Sequence, residues 1–294
     1  MPYHMISEVP FRSFDGLGIL GGFGERKAPA CPPFKFSCTP DCPFPDSHCK
    51  TRRQELCDRM LGAVNLAKTA AARLVKPRSA DTEKLFRDVF GQPPSDKWQV
   101  PGHPSRTILA GDLVARRFRA VANELLTRDT LYRCVDHKRC QEIKRGNRCT
   151  NANQRGVEVR QLAGLGVETG RRPDSNIRPY PLPERPSASP SCHPTDVIID
   201  DTVAMALLCK NQVLLCPDFW KMKPKPHWQE GTLLHEMFHL CFGVTCSWFQ
   251  HDQKERPRNS AYCYEIFALM LAGKKPSQRS IDKCADVRNK IGQP

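Results

Sequence analysis

The side chains best suited to chemistry lie in the segment LLHEMFHLCFG, residues 233–243. His235 and His239 stand four residues apart, and Glu236 directly follows the first histidine. On an α-helix this spacing places both imidazoles on one face, one turn apart, where they can bind one tetrahedral Zn²⁺. Glu236 would then lie beside the metal, placed to take a proton from metal-bound water and pass it to a leaving amine. The pattern predicts metal-assisted hydrolysis of peptide bonds.

A catalytic zinc site needs a third protein ligand, because the fourth position is kept for water. Our first choice is Glu265, the only charged residue of the apolar stretch 261–272. A carboxylate is rarely buried unless it is paired or binds a metal. Alternatively, Glu265 hydrogen-bonds a ligand histidine without touching the metal. Cys246, His251 and Asp252 are then the other candidate ligands.

Two tyrosines flank Glu265 on the same predicted helix. Either Tyr262 or Tyr264 could donate a hydrogen bond to the oxyanion that develops during peptide hydrolysis. A buried tyrosine is more often a packing residue. We assign the catalytic role to Tyr262.

Apolar periodicity and turn signals predict the elements that position these residues. Helices are expected over residues 49–76, 79–91, 104–126, 231–242 and 259–272, and short strands over residues 130–135, 196–200 and 211–217. The strand near Val213 is expected at a sheet edge, where a peptide substrate could bind as an added strand. The fold class is therefore helix-dominated α+β, with a small irregular sheet and the zinc between the last two helices.

The chain divides by composition into three parts. Residues 1–45 form a Cys/Pro/Gly-rich accessory segment, residues 46–275 the main domain, and residues 276–294 a polar C-terminal tail in which Cys284 could be tied down.

Fifteen cysteines are scattered along the 294 residues. This distribution favours disulfides over zinc knuckles and hence an oxidising compartment, and the odd count leaves at least one thiol without an intramolecular partner. The amino terminus has no recognisable signal peptide. We expect a protein that is secreted, or delivered to an oxidising compartment by another route.

The formal net charge of +14 could suit a nucleic-acid partner. However, Lys and Arg are spread along the whole chain, and no aromatic residues interleave with the basic stretch around Arg145 to stack on bases. We therefore expect no nucleic-acid partner. No apolar run is long enough to predict a membrane span.

Three segments together resemble the aspzincin metallopeptidases, the group of deuterolysin and the lysine-specific metallo-endopeptidases. These segments are VLLCPDFWKM, GTLLHEMFH and NSAYCYEIFAL. They are similar to the family's Leu-Cys-Pro-x-Phe element, its Gly-Thr-x-x-His-Glu-x-x-His motif and its later Asn-Ala-x-x-x-Glu helix. The resemblance covers about residues 50–273 and is specific only over residues 213–269.

The resemblance implies a disulfide-containing, zincin-like metallopeptidase domain with His235 and His239 as zinc ligands and Glu236 as the base. The family also carries Gly-Thr-x-Asp-x-x-Tyr-Gly after the second histidine, which supplies an aspartate ligand. Here the shorter stretch GVTCSWFQHD has Cys246 or Ser247 in its place. The third ligand is therefore not carried over from the family, and neither is lysine specificity.

The leading hypothesis is a zinc endopeptidase that cleaves a protein or peptide substrate. It could serve as a secreted or injected bacterial toxin or effector with a cognate inhibitor or immunity protein. An alternative is a catalytically degenerate zincin that acts as a peptide- or protein-binding module. A further alternative is a basic, disulfide-rich binding protein in which the histidine pair is incidental.

Overall fold

The computed structural model describes residues 31–38, 49–100, 103–138, 140, 197–198, 204–207, 211–242, 244 and 260–289. Its helices are α1 (Cys49–Arg73), α2 (Ala80–Phe90), α3 (Ala110–Thr127), α4 (Pro217–Lys221), α5 (Pro226–Phe242), α6 (Ala261–Leu271) and α7 (Gln278–Asn289). Its strands are β1 (Lys35–Cys38), β2 (Lys97–Val100), β3 (His103–Leu109), β4 (Leu131–Cys134), β5 (Val197–Ile198), β6 (Ala204–Leu207) and β7 (Gln212–Leu215). The predicted helix-dominated architecture with a small sheet is confirmed.

Local capping signals set the ends of several helices. The Ser79 hydroxyl accepts a hydrogen bond from the Thr82 backbone N–H at the start of α2. Gly91 ends α2 at φ 74°, in the left-handed region that favours glycine. Pro226 opens α5, where its missing N–H would have no partner in the helix.

The main sheet has the strand order β1-β4-β7-β6-β5. Strands β1, β4 and β7 run parallel, whereas β6 is antiparallel to both β7 and β5. A separate hairpin pairs β2 with β3. The β4, β5 and β7 strands fall within the segments predicted as strands, whereas β1, β2, β3 and β6 were not predicted.

The hydrophobic core lies among the helices. Helix α1 packs on α3 and α5, and α5 packs on α6. A cluster of buried rings fills the space between α2, α3, α5 and α6: Phe86, Phe90, Phe118, Phe238, Tyr264 and Phe267. The helix that carries both histidines therefore runs through the centre of the core, as its all-round apolar sequence predicted.

Disulfides tie the chain at several points of the described part. The pairs are Cys31–Cys57, Cys38–Cys49, Cys140–Cys216 and Cys263–Cys284. Among the described cysteines, Cys241 is free and buried. The expectations of a disulfide-containing chain, and of a tied Cys284, are confirmed.

Two sequence predictions are wrong in detail. The third helix begins at Ala110 rather than near residue 104, because residues 103–109 pair with β2 as a strand. The strand near Val213 is not at an edge, because β7 pairs with β4 on one side and β6 on the other. Backbone pairing on both sides leaves β7 no free edge for an added peptide strand.

The structure also bears on the predicted chain segments. The described residues belong to one compact unit that begins at Cys31. Residues 35–38 of the accessory segment form β1, and part of the predicted polar tail forms α7. Residues 1–30 lie outside the described part. Within the described residues, no helix has both the length and the apolar content needed to cross a bilayer.

Candidate metal centre

The three motif residues are buried on α5. His235, Glu236 and His239 are 3%, 2% and 0% exposed. Burial of three ionisable side chains on one helix costs free energy unless each is paired or binds a metal. The site is thus assembled where water has been largely excluded.

Each histidine is oriented by an acceptor at its Nδ1 atom. The Nδ1 of His239 lies within hydrogen-bond distance of the backbone carbonyl of Val244, just beyond the end of α5. The Nδ1 of His235 lies 3.2 Å from Oε2 of Glu265 on α6. A carbonyl oxygen and a carboxylate both accept hydrogen bonds, so we assign the proton of each neutral imidazole to Nδ1. Each Nε2 then presents a lone pair.

The two Nε2 atoms face each other at 3.0 Å. Two lone pairs repel at this distance unless a cation or a shared proton lies between them. Two nitrogens bound at ~2.05 Å to a tetrahedral zinc are about 3.3 Å apart, only a few tenths of an ångström more than observed. The tautomers and the spacing of the pair therefore fit a shared zinc ion.

Glu265 contacts His235 at Nδ1, the ring nitrogen that does not face His239. Its second oxygen, Oε1, accepts a hydrogen bond of 2.9 Å from the Ser280 hydroxyl on α7. Both carboxylate oxygens are thus engaged by side chains of the protein. This geometry favours the alternative in which Glu265 orients a ligand histidine, an arrangement common around protein-bound zinc.

Gly231 lets α5 and α6 approach closely beside Glu265. A Cβ atom at position 231 would lie 3.1 Å from Leu269 Cδ1 and 3.2 Å from Glu265 Cγ. Gly231 precedes His235 by one helical turn, so it lies on the same face of α5. Its missing side chain makes room for the carboxylate that His235 contacts.

The two tyrosines of α6 point to different places. The Tyr262 ring lies 4.5 Å from the His235 ring, measured between centroids. The Tyr264 hydroxyl instead accepts a 2.5 Å hydrogen bond from the buried Arg117, and its ring stacks on Phe238. Of the two, only Tyr262 lies beside the histidine pair.

Tyr132 on β4 contacts α5 at Met237, between the two histidines in the sequence. Its hydroxyl is 3.8 Å from the sulfur of Met237. Burial raises the pKa of this phenol above its ordinary value, and the nearby groups Cys241 and Glu236 raise it further. The phenol therefore stays protonated at neutral pH.

Within the described ranges, no cluster of three or more His, Cys, Asp or Glu side chains is placed to hold a metal. The candidate ligands Cys246, His251 and Asp252 fall outside these ranges. Direct ligation by any of these three therefore stays a prediction.

Sequence reasoning missed three contributors to the site: the Val244 carbonyl, Gly231 and Ser280. A backbone carbonyl leaves no signal in the sequence. Gly231 was visible only as part of the Gly-Thr element. Ser280 stands three residues after Ser277, the spacing of a helix cap, and that signal could have revealed α7.

Comparison with known proteins adds no assignment. The chain matches none of the protein families with which it was compared, and none of the curated proteins with which it was compared is significantly similar to it in sequence.

Proposed function

We propose that this chain is a zinc-dependent endopeptidase of the zincin type, related to the aspzincins. The observation that carries the proposal is the pair of Nε2 atoms 3.0 Å apart, with both Nδ1 atoms directed at acceptors. A histidine pair without a metal would need a proton shared between the two Nε2 atoms, whereas a bound cation would use both lone pairs.

His235 and His239 would hold the metal through Nε2, and the third ligand is left open. Glu265 was our first choice for that ligand. Its contacts with His235 and Ser280 favour a supporting role. Cys246, His251 and Asp252 stay candidates. When bound, zinc would supply Lewis acidity to polarise the scissile carbonyl.

The remaining chemistry belongs to side chains of this protein. Glu236 would take a proton from the attacking water and deliver it to the leaving amine nitrogen. Tyr262 would donate a hydrogen bond to the oxyanion, since its ring lies against His235. The dry surroundings of both groups would strengthen these interactions.

The setting is proposed from the disulfides and the charge. Disulfides within the described part support a destination in an oxidising compartment, by secretion or by another route. A secreted or injected toxin that cleaves a protein substrate, and is restrained by a cognate inhibitor, would fit this setting. A nucleic-acid partner is not proposed.

The first test compares wild type with Glu236→Gln, a substitution that keeps the side-chain shape. Both should bind about one zinc per chain by elemental analysis, because Glu236 is not proposed as a ligand. Hydrolysis of an unfolded protein such as reduced casein should fall about 10²–10⁴-fold in the variant, because the base is lost. A chelator should abolish wild-type activity, and added Zn²⁺ should restore it.

Other outcomes separate the alternatives. Stoichiometric zinc without hydrolysis of any peptide library would support the degenerate zincin that binds peptides or proteins. Zinc far below one per chain in the wild type would leave the histidine pair incidental and would refute the proposal.

A further inference from the structure

Helix α7 begins with a pair of serines directed at the metal centre. The Ser277 hydroxyl accepts a 3.1 Å hydrogen bond from the Ser280 backbone N–H, which makes Ser277 the cap of the helix. The hydroxyls of Ser277 and Ser280 are 2.8 Å apart. Ser280 is 5% exposed, so its hydroxyl is shielded from competing water.

Chemistry fixes the direction of the hydrogen bonds in this group. The Glu265 carboxylate can only accept, so Ser280 must use its single hydroxyl hydrogen in the 2.9 Å bond to Oε1. The Ser277 hydroxyl must then donate to Ser280. The other carboxylate oxygen accepts from Nδ1 of His235. A continuous chain of hydrogen bonds therefore connects the first turn of α7 with a candidate zinc ligand, and its donors converge on the Glu265 carboxylate from both sides.

The disulfide Cys263–Cys284 holds α7 in this place. Cys284 follows Ser280 by four residues and lies on the same face of α7, towards α6. The partner cysteine stands two residues before Glu265 on α6. The contact between Ser280 and Glu265 is thus clamped by a covalent bond one helical turn away.

We propose that Ser280 is a positioning residue for the metal centre, which acts on His235 through Glu265. This inference rests on the proposed zinc site. The Ser280 hydroxyl holds the Glu265 carboxylate in an orientation that keeps the proton of His235 on Nδ1. The lone pair on Nε2 of His235 is then available to the proposed zinc. Without the Ser280 hydroxyl, Oε1 has no donor on α7, and the carboxylate can rotate away from the imidazole.

The experiment measures zinc affinity by competition with a chromophoric chelator, on the full chain with its disulfides intact. Ser280→Ala should weaken zinc binding about tenfold, the lower end of the effect of losing a group that supports a ligand. Ser280→Thr keeps the hydroxyl and should bind zinc within about twofold of the wild type.

Two control variants separate positioning from general stability. Lys283→Ala changes an exposed residue of the same helix and should leave zinc affinity unchanged. Ser79→Ala removes the cap of α2 and so destabilises the start of a different helix. It should lower the unfolding temperature of the metal-free protein, yet leave zinc affinity unchanged.

Wild-type affinity in Ser280→Ala would overturn the inference and leave the proposed function standing. So would an equal loss in Ser79→Ala, or a loss in Ser280→Thr as large as in Ser280→Ala. A wild type that binds no zinc would overturn the inference and the proposed function together.

Discussion

At the scale of single residues, the two histidines differ in the group that accepts a hydrogen bond from Nδ1 of each imidazole ring. His239 is directed by a backbone carbonyl and His235 by a carboxylate. A carbonyl cannot change its protonation, whereas a carboxylate adds negative charge that makes the imidazole a stronger ligand. The two histidines therefore share one face of α5, but only His235 has a charged acceptor at its Nδ1 atom.

The two tyrosines of α6 give a test at the same scale. Tyr264→Phe should lower the free energy of unfolding by about 1.5–3 kcal/mol, because the buried Arg117 loses a hydrogen bond. Zinc affinity and kcat should not change. Tyr262→Phe should lower kcat by about 100-fold with zinc still bound, as expected for loss of an oxyanion donor.

Urea unfolding, zinc competition and steady-state kinetics on both variants check this pair. Each variant serves as the control for the other, since they change neighbouring positions of one helix by one oxygen atom. Unchanged kcat in Tyr262→Phe would limit Tyr262 to packing against His235.

At the scale of elements, the site depends on how closely α5 and α6 pack. Helix α5 carries both histidines and the proposed base, while α6 carries the carboxylate that contacts His235. The two helices lie close together at Gly231, where an added Cβ would meet Leu269 and Glu265 at 3.1–3.3 Å. A shift between the two helices would therefore change the contact with His235 before it disturbed the core.

Gly231→Ala tests this dependence. The new Cβ would stand 3.2 Å from Glu265 Cγ, closer than ordinary contact, so the carboxylate must move. The gain in helix propensity, about 0.8–1 kcal/mol, opposes a packing cost of about 1–3 kcal/mol. We expect a net loss of about 0–2 kcal/mol in the free energy of unfolding by urea, with zinc binding several-fold weaker by chelator competition.

Gly273→Ala is the matched control. Gly273 lies just beyond α6 at φ 68° with open space around it, so alanine there should cost about 1–2 kcal/mol in backbone strain without affecting zinc. If Gly231→Ala instead stabilises the protein and keeps wild-type zinc affinity, the close packing of α5 and α6 has no role in the site.

At the scale of the whole molecule, disulfides connect elements that are distant in sequence. Two of them fasten the β1 region to α1, and another fastens α7 to α6. The free Cys241 is buried in the core beside this framework. Burial raises the pKa of the Cys241 thiol to about 12, which keeps the reactive thiolate form scarce at neutral pH.

Thiol titration checks this framework. Without reductant, Cys241 of the folded chain should not react with a thiol reagent at pH 8, because it is buried and protonated. In concentrated guanidinium chloride it should react, so Cys241→Ala should show one thiol fewer per chain than the wild type. An equal thiol count in the two unfolded proteins would contradict a free Cys241.

Much of the helical framework could be predicted because its signals are local. The α1 and α2 helices follow from apolar spacing, and Ser79 and Gly91 mark the ends of α2. The start of α3 was misplaced because residues 103–109 take their strand conformation from pairing with β2. Helix α7 was missed because its exposed face is polar, and its burial depends on Cys263 and Glu265.

The sequence by itself determined that His235, Glu236 and His239 share a buried helix, since spacing and apolar periodicity are properties of neighbouring residues. It could not decide between ligation and support for Glu265, and its choice of Tyr262 over Tyr264 had no contact behind it. Only the tertiary structure decided which atoms these side chains contact, because those contacts join helices brought together by core packing and a disulfide. It likewise placed β7 in the middle of the sheet, since strand order depends on pairings between distant segments.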